Sequence, residues 1–283
     1  MRVGQMEELR GRLMDIDGRG YKAYQSIKGI YAMPGFTLFI DHVQADPFAP
    51  PSRIRVRVEQ RVARLPRWAY ANKVRAIACA DFLARTFRQN IHRYVQGRRG
   101  TGNSGMMWID AGGQEVLERT AVWVTEEFVE ARISVGLPGH GRVVVAKQAM
   151  DMLIGELPRV VQRSLVYQNI DRTALSQHVQ VVEDQEFVRG QLSELGLVAF
   201  IGDGSILPRE SGATDLPMPE QQAVKFESPP SLRVQIRVPS GEVWTGMGIP
   251  VGVTLIVGGG YHGKSTLLNA LQRCVYPHIP GDG

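Results

Sequence analysis

The stretch "LIVGGGYHGKSTLLNAL" at residues 255–271 constrains the fold of this chain more than any other. It overlaps an apolar, mostly β-branched run at residues 254–257, which is typical of a buried parallel strand. After the glycines, Leu267, Leu268 and Leu271 recur at helical spacing. The order of strand, glycine loop and helix predicts the βα unit of a phosphate-binding loop.

The loop matches the pattern G-x-x-x-x-G-K-[ST], with Gly258, Gly263, Lys264 and Ser265 at the fixed positions. Glycines let the backbone approach a phosphate, and the amide groups at a helix N-terminus attract its charge. Lys264 can reach the β- and γ-phosphates, and Ser265 can place its hydroxyl on Mg²⁺. A chance match is the alternative, but the flanking strand and helix argue against it. The predicted phosphate contacts are Gly258, Gly259, Gly260, Tyr261, His262, Gly263, Lys264, Ser265 and Thr266.

The composition is that of an ordinary globular protein with room for two domains. The 283 residues are 43% hydrophobic and 22% charged. No apolar run approaches the roughly 18 residues of a membrane span, and the N-terminus lacks the apolar core of a signal peptide. Cys79 and Cys274 are too far apart in sequence to suggest a disulfide framework or a metal site, so a reducing cytoplasm is the simplest expected compartment.

The chain has a net charge of +5, and one basic segment stands out. The strand predicted at residues 53–59 alternates strictly between arginines and apolar residues, and residues 97–105 form a basic, glycine-rich loop predicted to be flexible. Trp68 and Tyr70 follow in the same basic segment, and a charged groove with stacking aromatic residues can bind single-stranded nucleic acid. The alternative is a solvated strand face on which charge prevents edge pairing. The candidate nucleic-acid contacts are Arg53, Arg55, Arg57, Arg98 and Arg99.

Further periodic segments predict a mixed N-terminal domain. Strands are expected at residues 36–44 and 53–59, and a long amphipathic helix over residues 72–95. A helical pattern over residues 146–167 carries Pro158, which predicts a kink or an end at that point.

A second unit is predicted to begin near residue 168. It opens with one or two helices that end at Gly196, followed by a strand into a turn and then a long loop at residues 206–219. Two antiparallel strands are predicted within residues 231–250, just before the phosphate-binding loop. An antiparallel layer in that place indicates the opening of an ABC-type ATPase core.

Several long strings resemble a family of ABC-class ATPases, which is bacterial and has a trypanosomatid relative associated with mitochondrial RNA editing. They are "GYKAYQSIKGIY", "FTLFIDHVQADPFAPPSRIRVRV", "LVAFIGDGSILPRESG", "GMGIP", "GGGYHGKSTLLNAL" and "YPHIPGDG". The resemblance implies an α+β N-terminal accessory domain at residues 1–167. It also implies the opening part of an ABC-type P-loop NTPase α/β core at residues 168–283. ATP and Mg²⁺ are the implied ligands, single-stranded RNA or another nucleic acid is an implied partner, and transport is not implied.

In the family, the core continues with an acidic strand end that holds Mg²⁺ and a signature loop that closes over the γ-phosphate. Neither lies after Thr266 here, so the resemblance implies a truncated core. ATP hydrolysis is therefore expected only in the full-length protein. The alternative function is a nucleic-acid-binding module that nucleotide regulates.

Two other groups of polar residues are weaker candidates. Asp203 and Arg209, in "IGDGSILPRESG", could contact nucleotide or a facing core, but a structural role in the loop is favoured. Asp41, His42 and Asp46 fit no standard metal spacing, which favours hydrogen bonding at the end of a strand.

Overall fold

A computed structural model describes residues 2–283, which form two compact units. The first comprises the residues up to Ala71 together with Cys79–Ala111 and Glu118–Leu175. The second comprises Asn72–Ala78, Gly112–Leu117 and Ser176–Gly283. These units describe packing within the chain, so the domain boundary expected at residue 168 stays a prediction.

The first unit contains a seven-stranded sheet. Its order is β1-β2-β3-β4-β7-β5, and β6 also pairs with β7. Only the β1–β2 pair is parallel, so the sheet is otherwise antiparallel. The strands are β1 (Val3–Gln5), β2 (Gly29–Met33), β3 (Phe36–His42), β4 (Ser52–Glu59), β5 (Met107–Trp108), β6 (Val122–Val124) and β7 (Phe128–Val135).

The alternation predicted in β4 is confirmed. Val56 lies between Leu38 of β3 and Ala131 of β7, and all three side chains are buried. Successive side chains of a strand point to opposite faces, so the arginines of β4 share the other face of the sheet. On that face Arg55 lies opposite Phe39 of β3.

The helix predicted over residues 146–167 is formed and does not end at Pro158, while a π-helical turn interrupts its regular α-helix just before that proline. Pro158 lies in the first turn of an α-helix, directly after a π-helical turn at Asp151–Glu156. Proline lacks the amide hydrogen of a helix interior but is tolerated in the first turn. The helices between residues 6 and 165 are α1 (Met6–Asp15), α2 (Gln60–Ala63), α3 (Lys73–Tyr94), α4 (Ala146–Met150) and α5 (Leu157–Leu165), and a short hairpin pairs β8 (Gly139–His140) with β9 (Val143–Val144).

The basic loop at residues 97–105 is packed rather than flexible, so that prediction was wrong. A Cβ atom on Gly136 would lie 1.8 Å from the carbonyl oxygen of Asn103, so only glycine lets the loop approach this closely. Within the loop, the Arg99 amide donates to the Ser104 carbonyl at 3.0 Å. The glycines thus permit close packing, where the sequence pattern had indicated mobility.

The second unit contains the predicted antiparallel sheet, in the order β10-β14-β13. The long loop predicted at residues 206–219 contains a small hairpin of β11 and β12, which the sequence did not indicate. A helix at the C-terminal end of the unit packs on the three-stranded sheet through Leu267 and Leu271. The elements are α6 (Arg172–Gln191), β10 (Leu197–Gly202), β11 (Arg209–Ser211), β12 (Thr214–Pro217), β13 (Arg233–Arg237), β14 (Val243–Pro250) and α7 (Lys264–Arg273).

The strand predicted at residues 254–257 is not formed, and this expectation was wrong. These residues lie outside every helix and strand, and Leu255 and Val257 are 81% and 75% exposed. A strand is stabilised by hydrogen bonds to a neighbouring strand, and no strand of residues 2–283 pairs with this segment.

Candidate functional site: the glycine loop and the arginine face

The glycine loop leads directly into α7. Gly263 precedes this ten-residue helix with a φ of 77°, a left-handed value that glycine adopts without strain. The helix packs through Leu267 and Leu271 on the cluster of Ala199, Ile201, Met247 and Ile249 in the three-stranded sheet. This packing fixes the direction of the helix, so its N-terminal amide groups face the loop at a defined position.

The predicted phosphate contacts lie together in one exposed turn. The Lys264 ammonium donates to the Gly258 carbonyl oxygen at 2.7 Å and also to that of Gly259. The Gly259 amide donates to Nδ1 of His262 at 3.2 Å. Tyr261 is fully exposed and has a φ of 62°, which is uncommon for a residue other than glycine.

Ser265 and Thr266 lie in the first turn of α7, directly after Lys264. The Ser265 side chain is exposed and offers one hard oxygen ligand. Mg²⁺ is commonly held by one or two protein oxygens together with phosphate oxygens and water, so this residue fits that ion. Among residues 2–283, no cluster of three acidic, histidine or cysteine side chains offers a metal site made by the protein alone.

The arginines of β4 form an ion-pair network with two carboxylates. Arg55 donates to both oxygens of Asp41, at 2.6 and 2.9 Å, and to Glu130 at 3.2 Å. Arg57 and Arg132 also donate to Glu130, at 2.6 and 3.3 Å. The hydrogen bond from Arg55 is the main reason that the pKa of Asp41 is lowered. The three guanidinium groups are therefore held in fixed positions.

The same guanidinium groups stack on aromatic rings. Arg55 lies over Phe39 at 4.4 Å and Arg57 over Phe128 at 4.0 Å. On the neighbouring strand Arg132 lies over Trp123 at 3.9 Å, and Trp123 is 45% exposed. We call this surface the arginine face, and its residues are Phe39, Asp41, Arg53, Arg55, Arg57, Trp123, Phe128, Glu130 and Arg132.

Sequence reasoning missed most of these partners, although a signal was present. Glu130 and Arg132 are two positions apart in "FVEARISV", so they share a strand face, but only pairing with β4 brings them to Arg55 and Arg57.

Arg99 is not a free cation, which corrects its predicted role, whereas Arg98 is exposed and its predicted contact stays a prediction. Arg99 is buried, and its guanidinium donates to both oxygens of Glu156 at 2.8 and 2.7 Å. Arg98 donates to the Gly102 carbonyl within its own loop at 3.1 Å. Arg99 stabilises the loop, because a buried cation requires a partner.

The contacts of Asp203 and Arg209 agree with the structural role in the loop that was predicted for them. Asp203 accepts from the amide and the hydroxyl of Ser228 at 2.6 and 3.0 Å. Arg209 pairs with Asp282 at 2.8 Å.

Asp41 and Asp46, the two carboxylates of the weak metal candidate, also have structural partners. Asp41 pairs with Arg55, and Asp46 accepts from the amides of Phe48 and Ala49 at 2.8 and 3.1 Å.

Comparison with known proteins assigns the class. The family model for the N-terminal part of ATPases of the ABC class matches residues 6–168, and the model for the P-loop domain of these ATPases matches residues 171–283. The chain therefore belongs to the family of ABC-class ATPases, whose P-loop domain implies nucleotide binding. None of the helices in residues 2–283 has the length and apolar character needed to cross a membrane.

Part of the chain is also similar to an uncharacterized protein of Methanocaldococcus jannaschii. The two are 32% identical over 106 residues, which is 35% of this chain and 24% of that relative. The match thus spans about a quarter of the relative's length.

Proposed function

We propose that the loop at residues 258–266 binds the phosphates of ATP. The observation that carries this proposal is the placement of Lys264, whose ammonium lies across the loop at the first residue of α7. From there it can turn to a phosphate while the helix N-terminus attracts the same negative charge. Ser265 would hold Mg²⁺, which neutralises phosphate charge when it is bound. Hydrolysis is proposed for the whole protein, because phosphoryl transfer also needs groups that position water.

The test is a titration of the 283-residue chain with a fluorescent ATP analogue. Lys264→Ala removes the ammonium and is expected to weaken binding at least tenfold, about 1.4 kcal/mol. Lys225→Ala is a matched control, because Lys225 belongs to the same unit and pairs with the exposed Glu220. Equal affinities for the wild type and Lys264→Ala would contradict the proposal.

We propose single-stranded nucleic acid as a second ligand, at the arginine face. Arg53, Arg55, Arg57 and Arg132 outnumber the carboxylates of Asp41, Glu59 and Glu130 on this face of the sheet, so positive charge remains in excess next to an exposed tryptophan. Phosphates bind such cations, and bases stack on aromatic rings and guanidinium planes without sequence preference. The ion pairs with Asp41 and Glu130 hold the guanidinium groups in place, which lowers the entropy lost on binding.

If the arginine face binds nucleic acid, its arginines determine how steeply the binding affinity falls with salt concentration. Replacing Arg53, Arg55 and Arg57 by Gln removes three cations, and Glu130→Gln in the same protein avoids a buried carboxylate that would keep Arg132 but lose Arg55 and Arg57 as partners. In fluorescence anisotropy with single-stranded RNA, the log–log slope against salt should flatten by roughly two. Arg10→Gln on α1 is the control and should leave the slope unchanged. Identical slopes for wild type and variant would show that the arginines form only a solvated face.

A further inference from the structure

His262 is folded back onto the glycine loop by its two neighbours. Tyr261 and Gly263 have left-handed φ values of 62° and 77°, so the chain reverses around His262. The imidazole ring then lies against Gly258 and Gly259. A Cβ atom on Gly259 would lie 3.2 Å from Cε1 of the ring, and one on Gly258 would lie 3.5 Å from Nδ1. The glycines thus make room for the ring as well as for a ligand.

Nδ1 of His262 accepts the hydrogen bond of the Gly259 amide. Amide groups of this kind form the anion nest of a phosphate-binding loop. An amide that donates to the imidazole cannot donate fully to a phosphate oxygen at the same time. In the same conformation, the Lys264 ammonium donates to the Gly258 and Gly259 carbonyls. We call this arrangement the self-bonded loop.

We propose that His262 competes with phosphate for the Gly259 amide and thereby sets the nucleotide affinity of the loop. This inference rests on the proposed binding of ATP at residues 258–266. Nucleotide binds after His262 swings away, so the apparent affinity is reduced by the fraction of chains in the self-bonded loop. His262 is therefore a positioning residue that acts through the backbone of Gly259.

The size of the effect follows from the strength of one hydrogen bond. A neutral bond of this kind contributes on the order of 1 kcal/mol net, which favours the self-bonded loop about fivefold. Removing the ring should therefore tighten nucleotide binding by about fivefold.

Three variants test the proposal by titration with the fluorescent ATP analogue. His262→Ala removes the acceptor and is expected to bind about fivefold more tightly than wild type. His262→Asn keeps an acceptor oxygen near the position of Nδ1 and should restore an affinity close to wild type. Lys225→Ala is the control, because Lys225 lies in the same unit outside the loop and pairs with the exposed Glu220, so its removal should leave the affinity unchanged. Unchanged or weaker binding by His262→Ala would overturn the proposal.

A measurement without nucleotide separates this inference from the proposed function. Hydrogen exchange of the Gly259 amide, followed by NMR, should be several-fold faster in His262→Ala than in wild type. Equal exchange rates would overturn the self-bonded loop even if ATP binds. If the amide is protected by His262 but neither protein binds the analogue, the proposed function fails and this inference fails with it.

Discussion

At the residue scale, Glu130 holds the arginine face together. Its carboxylate is 1% exposed and accepts from Arg55, Arg57 and Arg132. A buried carboxylate is stable only when its charge is matched, and three guanidinium groups match it here. Replacing it leaves three cations close together on neighbouring strands, where they repel one another.

We therefore expect Glu130→Ala to lower the free energy of unfolding by about 3 kcal/mol, the usual loss when one partner of a buried ion pair is removed. Glu126→Ala is the matched control, since its pair with Arg67 is exposed and should contribute less than about 1 kcal/mol. Urea unfolding of both variants makes the comparison. Similar losses would mean that Glu130 has no special role in holding the face.

At the element scale, the segment at residues 277–283 is fixed within the second unit. The Val116 amide donates to the Pro277 carbonyl at 2.7 Å, and the Ile279 amide donates to the Gln114 carbonyl at 3.0 Å. At its centre, His278 lies 2.6 Å from Asp282 through Nδ1 and 3.1 Å from the Arg273 carbonyl through Nε2.

Both ring nitrogens of His278 thus face acceptors, and only the protonated ring can donate to both. Burial lowers the pKa of His278, but the bonds to Asp282 and to the Arg273 carbonyl outweigh it, so that the pKa is raised. A group whose pKa is raised by folding stabilises the protein below its unfolded pKa, about 6.5 for histidine. That contribution is lost as the pH rises through the folded pKa.

We predict that Asp282→Asn lowers the stability more at a pH of about 5.5 than at a pH of about 9. Arg209→Gln removes the other partner of Asp282, and its effect should differ less between the two pH values. Chemical unfolding measures both variants at both pH values. A loss for Asp282→Asn that is independent of pH would contradict the assigned protonation of His278.

The predictions that succeeded at this scale rested on local periodicity. The alternation in β4 and the β13–β14 pair could both be predicted from neighbouring residues. The strand at residues 254–257 could not be judged in this way, because a strand depends on a partner that its own sequence does not show.

At the scale of the whole molecule, the sequence predicts the class of protein, but it does not predict the side-chain contacts of the glycine loop or of the arginine face. The motif at residues 258–265 and the family strings predicted a P-loop ATPase of the ABC class, which the family matches confirm. The ion pairs of the arginine face could not be predicted from the sequence, because Asp41 and Glu130 are distant from each other along the chain. The contact of the His262 ring with Gly259 depends on the left-handed φ angles of Tyr261 and Gly263, which the sequence motif does not specify.

The central claim is that nucleotide binds at residues 258–266, and hydrogen–deuterium exchange of the 283-residue chain with and without Mg-ATP tests it most directly. The account predicts that ATP slows exchange across this loop and the first turn of α7, because phosphate accepts from their amide groups. At an ATP concentration near the wild-type dissociation constant, the same protection should be largely lost in Lys264→Ala, which binds at least tenfold more weakly. Protection confined to other segments, or protection of the loop that persists in Lys264→Ala, would contradict the account.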